Sequence, residues 1–130
     1  MPAEVQSIKV PTINLEWSNW IRWDKVAIEW RSSRAVHIPA SPGVYEVCKS
    51  ANSGKRLTIG KAVNLQRRVR SGLVRGTASH STGTRIRKHE SCSKLLIRWA
   101  ETKVPSCVEE QLHQIYKQNY GTLPQYTKVT

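Results

Sequence analysis

Acidic residues are scarce in this sequence, and one long stretch has none. Nine Asp and Glu stand against 21 Lys and Arg, giving a formal net charge of +12. Between Val47 and His89 no carboxylate occurs, while eleven Lys and Arg fall in that span. Such a field draws polyanions, and nucleic acid is the usual polyanion for a small basic domain. Cysteine is also sparse. Cys48, Cys92 and Cys107 are odd in number and widely spaced, with no Cys-x-x-Cys and no His pair at ligand spacing, which argues against a structural zinc site and points to reduced thiols. Long apolar runs are missing, and residues 1–9 contain no apolar signal core, so no membrane span is expected and a cytoplasmic location is. No internal repeat or low-complexity tract is visible.

What remains is 130 residues, enough for one domain with a modest core. Its centre is the stretch from Ser41 to Gly76. Gly43-Val44-Tyr45-Glu46-Val47 and Arg56-Leu57-Thr58-Ile59-Gly60 are short β-prone runs, separated by the turn-forming Ser50-Ala51-Asn52-Ser53-Gly54. Asn64 is a good N-cap, and Leu65, Val69 and Leu73 recur every four residues, so an amphipathic helix follows the hairpin and ends at Gly76. Residues 77–83 read as a loop or a helix start. Residues 95–100 read as a third strand, and a last helix runs from Pro105 to about Tyr120, closed by Gly121.

Ahead of this core, residues 1–14 read as an arm. Trp17, Trp20, Ile21, Trp23, Ala27, Ile28 and Trp30 fall mostly three, four and seven apart, which predicts a Trp-rich helix over residues 15–30. Two uses fit that segment: packing onto the sheet, which the helical spacing favours, or a face for stacking bases, docking a protein partner or self-association. The expected fold is α+β (mixed α/β), a small three-stranded, largely antiparallel sheet flanked by helices. An N-terminal extension (residues 1–40) would pack on the core domain (41–130).

The triplets Gly43-Val44-Tyr45 and Thr58-Ile59-Gly60, followed by Lys61-Ala62-Val63-Asn64-Leu65-Gln66-Arg67-Arg68, resemble the GIY-YIG nuclease family. Glu109, Leu112 and the ending Pro124-Gln125-Tyr126-Thr127 extend the resemblance over residues 41–127. The resemblance implies a GIY-YIG-like domain and a metal-dependent endonuclease. It places Arg68 at the catalytic arginine, Glu109 at the metal-binding glutamate and Tyr45 at a tyrosine that orients or deprotonates water. The chain departs from the pattern in three places. Thr58 stands where the second triplet has tyrosine, Thr127 where asparagine is common, and Gly72 where relatives often carry His or Tyr. A second reading follows from these departures: a catalytically degenerate domain that binds DNA or RNA, or serves as a subunit of a nucleic-acid-processing complex.

The residues agree with those assignments on chemical grounds. On a helical wheel Arg68 flanks the stripe of Leu65, Val69 and Leu73 while Arg67 points away, and the planar guanidinium suits a scissile phosphate. Val108, Leu112, Ile115 and Tyr116 define the expected buried face of the last helix. Glu109 sits beside that face and Glu110 is turned away as a fallback; Ser106-x-x-Glu109 is equally a capping box. One carboxylate is sufficient for Mg²⁺ or Mn²⁺, since Mg²⁺ keeps most of its waters. Tyr45 would need a neighbouring cation to ionise near neutral pH. Thr58 can bond a water or phosphate, and His80 is a candidate substitute acid or base. Lys61, Arg67, Arg70, Arg75, Arg85, Arg87 and Lys88 are expected to grip the backbone of nucleic acid, DNA ahead of RNA.

Overall fold

The computed structural model describes Ser7 and residues 13–127. Most of the expected arm therefore lies outside the described residues. Four strands, β1 (Ile21–Arg22), β2 (Gly43–Cys48), β3 (Thr58–Ala62) and β4 (Leu96–Glu101), form one antiparallel sheet in the order β1-β4-β2-β3. The architecture is α+β, with one strand more than the three expected. The addition is β1, which pairs Ile21 with Ile97 and Arg22 with Leu96.

This short strand corrects the helix expected over residues 15–30. Residues 13–20 are irregular, and the only helix in the segment is the single turn α1 (Trp23–Val26). Partners on the sheet outweigh helical spacing here. Ser18 donates its N–H to the Trp99 carbonyl (2.8 Å) and accepts the Trp99 N–H on its hydroxyl (3.0 Å). The Arg98 guanidinium lies 4.2 Å from the Trp17 ring and 4.5 Å from Trp20, and Arg56 lies 4.8 Å from Trp20. Both arginines also bond the buried Glu46 carboxylate, at 3.0 Å from Arg56 and 2.7 Å from Arg98. The rings thus cover a buried ion cluster, gaining area and cation–π attraction together. Trp23 is buried in the core and Trp30 is exposed.

Every residue of β2 is buried, as a central strand covered on both faces requires. On one face Tyr45 and Val47 meet Leu65, Val69 and Leu73, with Ile86, Ile97 and Trp99 in the same core. On the other, Val44 and Ala100 meet Val108, with Leu15, Trp17 and Leu112 packed against them. The helix after the hairpin forms where the apolar spacing places it, and Asn64 caps it by accepting the Arg67 N–H at 3.0 Å. Its winding is that of a π-helix (Gln66–Val74), and the Arg75 N–H reaches the Arg70 carbonyl at 2.9 Å. The helix α2 (Ser81–His89) follows, and α3 (Pro105–Tyr120) packs along β3 and ends at Gly121. On α3 Val108 and Tyr116 are buried, whereas Ile115, expected inside, is exposed.

Candidate active site

β3 is the edge of the sheet, and the groups of chemical interest gather across it. Tyr45 stands opposite Gly60 in the β2–β3 register. A Cβ at Gly60 would collide with the tyrosine ring, so the absence of a side chain there lets the phenol lean over the edge strand. It enters a cavity of about 190 Å³ lined by Thr58, Lys61, Arg68, Glu109 and His113, with Thr127 at its wall. The cavity draws on β2, β3, the π-helix, α3 and the C-terminal segment.

Burial raises the Tyr45 pKa; the Arg68 guanidinium lowers it by charge and hydrogen bonding, and the Glu109 carboxylate adds to the rise. The net effect is upward, so Tyr45 is a neutral phenol at neutral pH. The cation that was to ionise it is present, but desolvation outweighs it.

His80 is the N-cap of α2, not a loop histidine open to phosphate. It is 3% exposed, its Nδ1 accepts the Gly83 N–H at 2.9 Å, and its Nε2 lies 3.0 Å from the Tyr45 hydroxyl. A backbone N–H can only donate, so Nδ1 carries the lone pair and Nε2 the hydrogen. Nε2–H therefore donates to the Tyr45 oxygen, which leaves the phenolic proton for a group in the cavity. Gly72 makes room for this: a Cβ there would meet His80 Cδ2 at 3.0 Å. The imidazole thus packs against the very position where the resemblance had led one to expect His or Tyr.

Thr58 and Thr127, two departures from the motif, are partners. Their hydroxyls lie 3.2 Å apart, and Thr127 Oγ1 also accepts the Ile59 N–H at 3.1 Å. Thr58 is 2% exposed, and its hydroxyl is occupied in pinning the C-terminal segment to β3.

The capping box does not form. Val104 holds the cap position of α3, no side chain caps it, and Ser106 instead accepts a hydrogen bond from Lys61 Nζ at 3.1 Å. Glu109 is thereby released from that structural role and stands half-buried on the cavity wall, while Glu110 is exposed. One turn on, His113 Nε2 lies 2.9 Å from the Ile59 carbonyl, which can only accept, so Nε2 carries hydrogen there. Sequence reasoning passed over His113, although its i+4 spacing from Glu109 could have found it.

The basic residues divide. Arg67 is exposed beside Arg68 in a shallow groove that Asn64 and Ser79 also line. Arg85 lies 5.3 Å from the Tyr126 ring, and Lys88 is exposed on α2. Arg70 is a correction: it is 3% exposed, and its guanidinium bonds the carbonyls of Val26 (3.4 Å) and Val36. The wider π winding turns it toward the buried side, where it ties α1 and the following segment to the helix. Burial and the neighbouring Arg75 lower its pKa. Arg75 bonds the Ala27 carbonyl at 2.6 Å, and Arg87 bonds those of Gly72 (2.9 Å) and Leu73 (2.5 Å). These contacts satisfy carbonyls at helix ends, so Arg75 and Arg87 are partly committed within the fold.

No family model matches the chain, and no curated protein does. Among solved structures it is similar to the GIY-YIG N-terminal endonuclease domain of UvrC from Thermotoga maritima. The magnesium-bound form is 24% identical, and a point mutant bound to its catalytic divalent cation is 23% identical. Each has a TM-score of 0.43 and covers 82% of this chain and 93% of that one.

Proposed function

We propose that the protein is a nucleic-acid-binding, GIY-YIG-like endonuclease that hydrolyses phosphodiester bonds with one divalent metal. The observation that carries this reading is the convergence of Tyr45, Arg68 and Glu109 on one small cavity in a chain of net charge +12. Phosphodiester hydrolysis needs an aligned water, cationic support for charge growing on the phosphoryl oxygens, and a neutralised leaving oxygen. Arg68 holds the scissile phosphate through its planar fork of donors. Tyr45, its oxygen steadied by His80, donates its hydrogen to a phosphoryl oxygen, and the proton lost by the attacking water passes to solvent.

The donor set fits magnesium. Among the described residues no cluster of three His, Cys, Asp or Glu exists, and Mg²⁺ is commonly held by one or two carboxylates with waters completing its shell. Glu109 would hold the ion, which when bound polarises a phosphoryl oxygen as a Lewis acid. Lys61, Arg67, Arg85 and Lys88 meet the backbone and make binding salt-sensitive. Thr58 acts as scaffold, its hydroxyl being shared with Thr127.

That same Thr58–Thr127 bond favours a second reading, a nucleic-acid-binding module that does not cut. Incubating the protein with plasmid DNA, single-stranded DNA and structured RNA, each with Mg²⁺, Mn²⁺ or EDTA, separates the two. Cutting that needs the metal and is lost in Arg68→Ala and Glu109→Ala supports the endonuclease. Salt-sensitive binding without cutting under any condition leaves the module.

A further inference from the structure

A second pocket lies away from the catalytic cavity, at the far end of α3. Its volume is about 550 Å³, within the roughly 300–1,000 Å³ of small-ligand sites. Its walls are Tyr116, Tyr120 and Leu123, and Lys49, Lys55 and Gln125 also line it.

The two tyrosines make an aromatic platform, with ring centroids 4.6 Å apart and planes inclined by 37°. Tyr116 is fixed, its hydroxyl accepting the Arg56 N–H at 3.2 Å and lying 3.4 Å from the Arg56 carbonyl. Tyr120 is 38% exposed and rests against the hairpin turn, where Gly54 has no Cβ to displace its hydroxyl. Two lysines stand by an exposed aromatic face, and among the described lining residues there is no carboxylate, although Lys49 lies 3.5 Å from Glu90 outside it. Stacking surface beside positive charge is what a nucleotide asks for, a base for the rings and a phosphate for the amines.

The pocket is also aligned with the cavity. Glu109, His113, Tyr116 and Tyr120 follow one another at i, i+4, i+7 and i+11, a single stripe on α3. Eleven residues at a rise of 1.5 Å put the ends of that stripe about 17 Å apart. A stacked strand, at about 3.4 Å per nucleotide, covers that distance in about five nucleotides, and a more extended one in fewer.

We propose that this pocket binds an unpaired nucleotide of the substrate strand, its base stacked on Tyr120 and its phosphate at Lys49 and Lys55, a few nucleotides from the bond that is cut. The assignment of the strand as substrate rests on the endonuclease reading. The pocket itself does not. An endonuclease so built prefers a site with a single-stranded or splayed flank over a continuous duplex.

The test is an NMR titration of the ¹⁵N-labelled protein with 2′-deoxyadenosine 5′-monophosphate and, separately, 2-deoxyribose 5-phosphate. The nucleotide is expected to give saturable shifts grouped at Gly54, Tyr116, Tyr120 and Leu123. Tyr120→Ala should weaken it about tenfold or more, and Tyr120→Phe should not. Lys55→Ala should weaken it in the same direction, which guards against a loss of local packing in Tyr120→Ala. Glu109→Gln should abolish cleavage and leave nucleotide affinity unchanged. Equal shifts from the base-free sugar phosphate, or a Tyr120→Ala protein that binds as well as the parent, would overturn the pocket and leave the endonuclease standing. Nucleotide binding in a protein that cuts nothing would do the reverse.

Discussion

The partner of a single hydroxyl decides much of the proposed chemistry. Tyr45 receives a hydrogen bond from His80, whose other nitrogen is committed to the Gly83 N–H, so the phenol can donate only outward. Replacing His80 with Ala is expected to lower kcat at least tenfold with little change in KM for the nucleic acid, since the imidazole positions the phenol and does not meet the phosphate. Steady-state kinetics check this split. The arginines separate just as clearly. Arg70→Ala should cost about 2 kcal/mol or more in urea unfolding, because a buried charged donor to two carbonyls is lost. It should leave the salt dependence of binding unchanged, whereas Arg67→Ala should keep stability and reduce the slope of log K on log salt by about 1. Tyr126 offers a titration. Its bond to Glu90 at 2.6 Å and its burial push its pKa from 10.0 up to about 12. Because the folded state holds this proton more tightly than the unfolded state, its stabilisation is complete below pH 10 and is lost as pH rises toward about 12. Tyr126→Phe should remove that alkaline slope in thermal melts.

At the scale of elements, the sequence was readable where one local rule acted alone. The hairpin, the Asn64 cap, the buried stripe of Leu65, Val69 and Leu73, and the last helix from Pro105 to Tyr120 all appear close to where periodicity and caps put them. It misled where distant partners compete. Helical spacing of tryptophans predicted a helix, but the backbone found Trp99 and Ile97 on β4 and the rings found Arg98 and Arg56, none of them encoded locally. The π winding, and with it the burial of Arg70, has no sequence signal we can identify. The link between β3 and the C-terminal segment illustrates the same point at the site. Thr58 and Thr127 are 69 residues apart, and each read alone is only a substitution. Together they are a clasp. A double-mutant cycle with Thr58→Val and Thr127→Val is expected to show a coupling of about 1 kcal/mol in unfolding free energy; additive effects would mean the hydroxyls act separately.

Across the whole molecule, the positive charge and the cavity coincide. Arginines and lysines dominate the span that forms β3, the π-helix and α2, and the candidate site opens along that same edge. Arg68 and Glu109 could be singled out from motif and helical wheel; the pairing of His80 with Tyr45 could not, because it joins two elements through space. Among the described residues no helix is long and apolar enough to cross a membrane. The central claim is that Glu109 supplies the carboxylate for a metal that the cleavage reaction needs, and its neighbour Glu110 is the natural control. The most direct measurement is the Mg²⁺ dependence of nucleic-acid cleavage by the parent, Glu109→Gln and Glu110→Gln. We expect Glu109→Gln to cut at least about a hundredfold more slowly while binding nucleic acid normally, and Glu110→Gln to match the parent. Equal cleavage by the two variants, or cleavage that persists in EDTA, would contradict it.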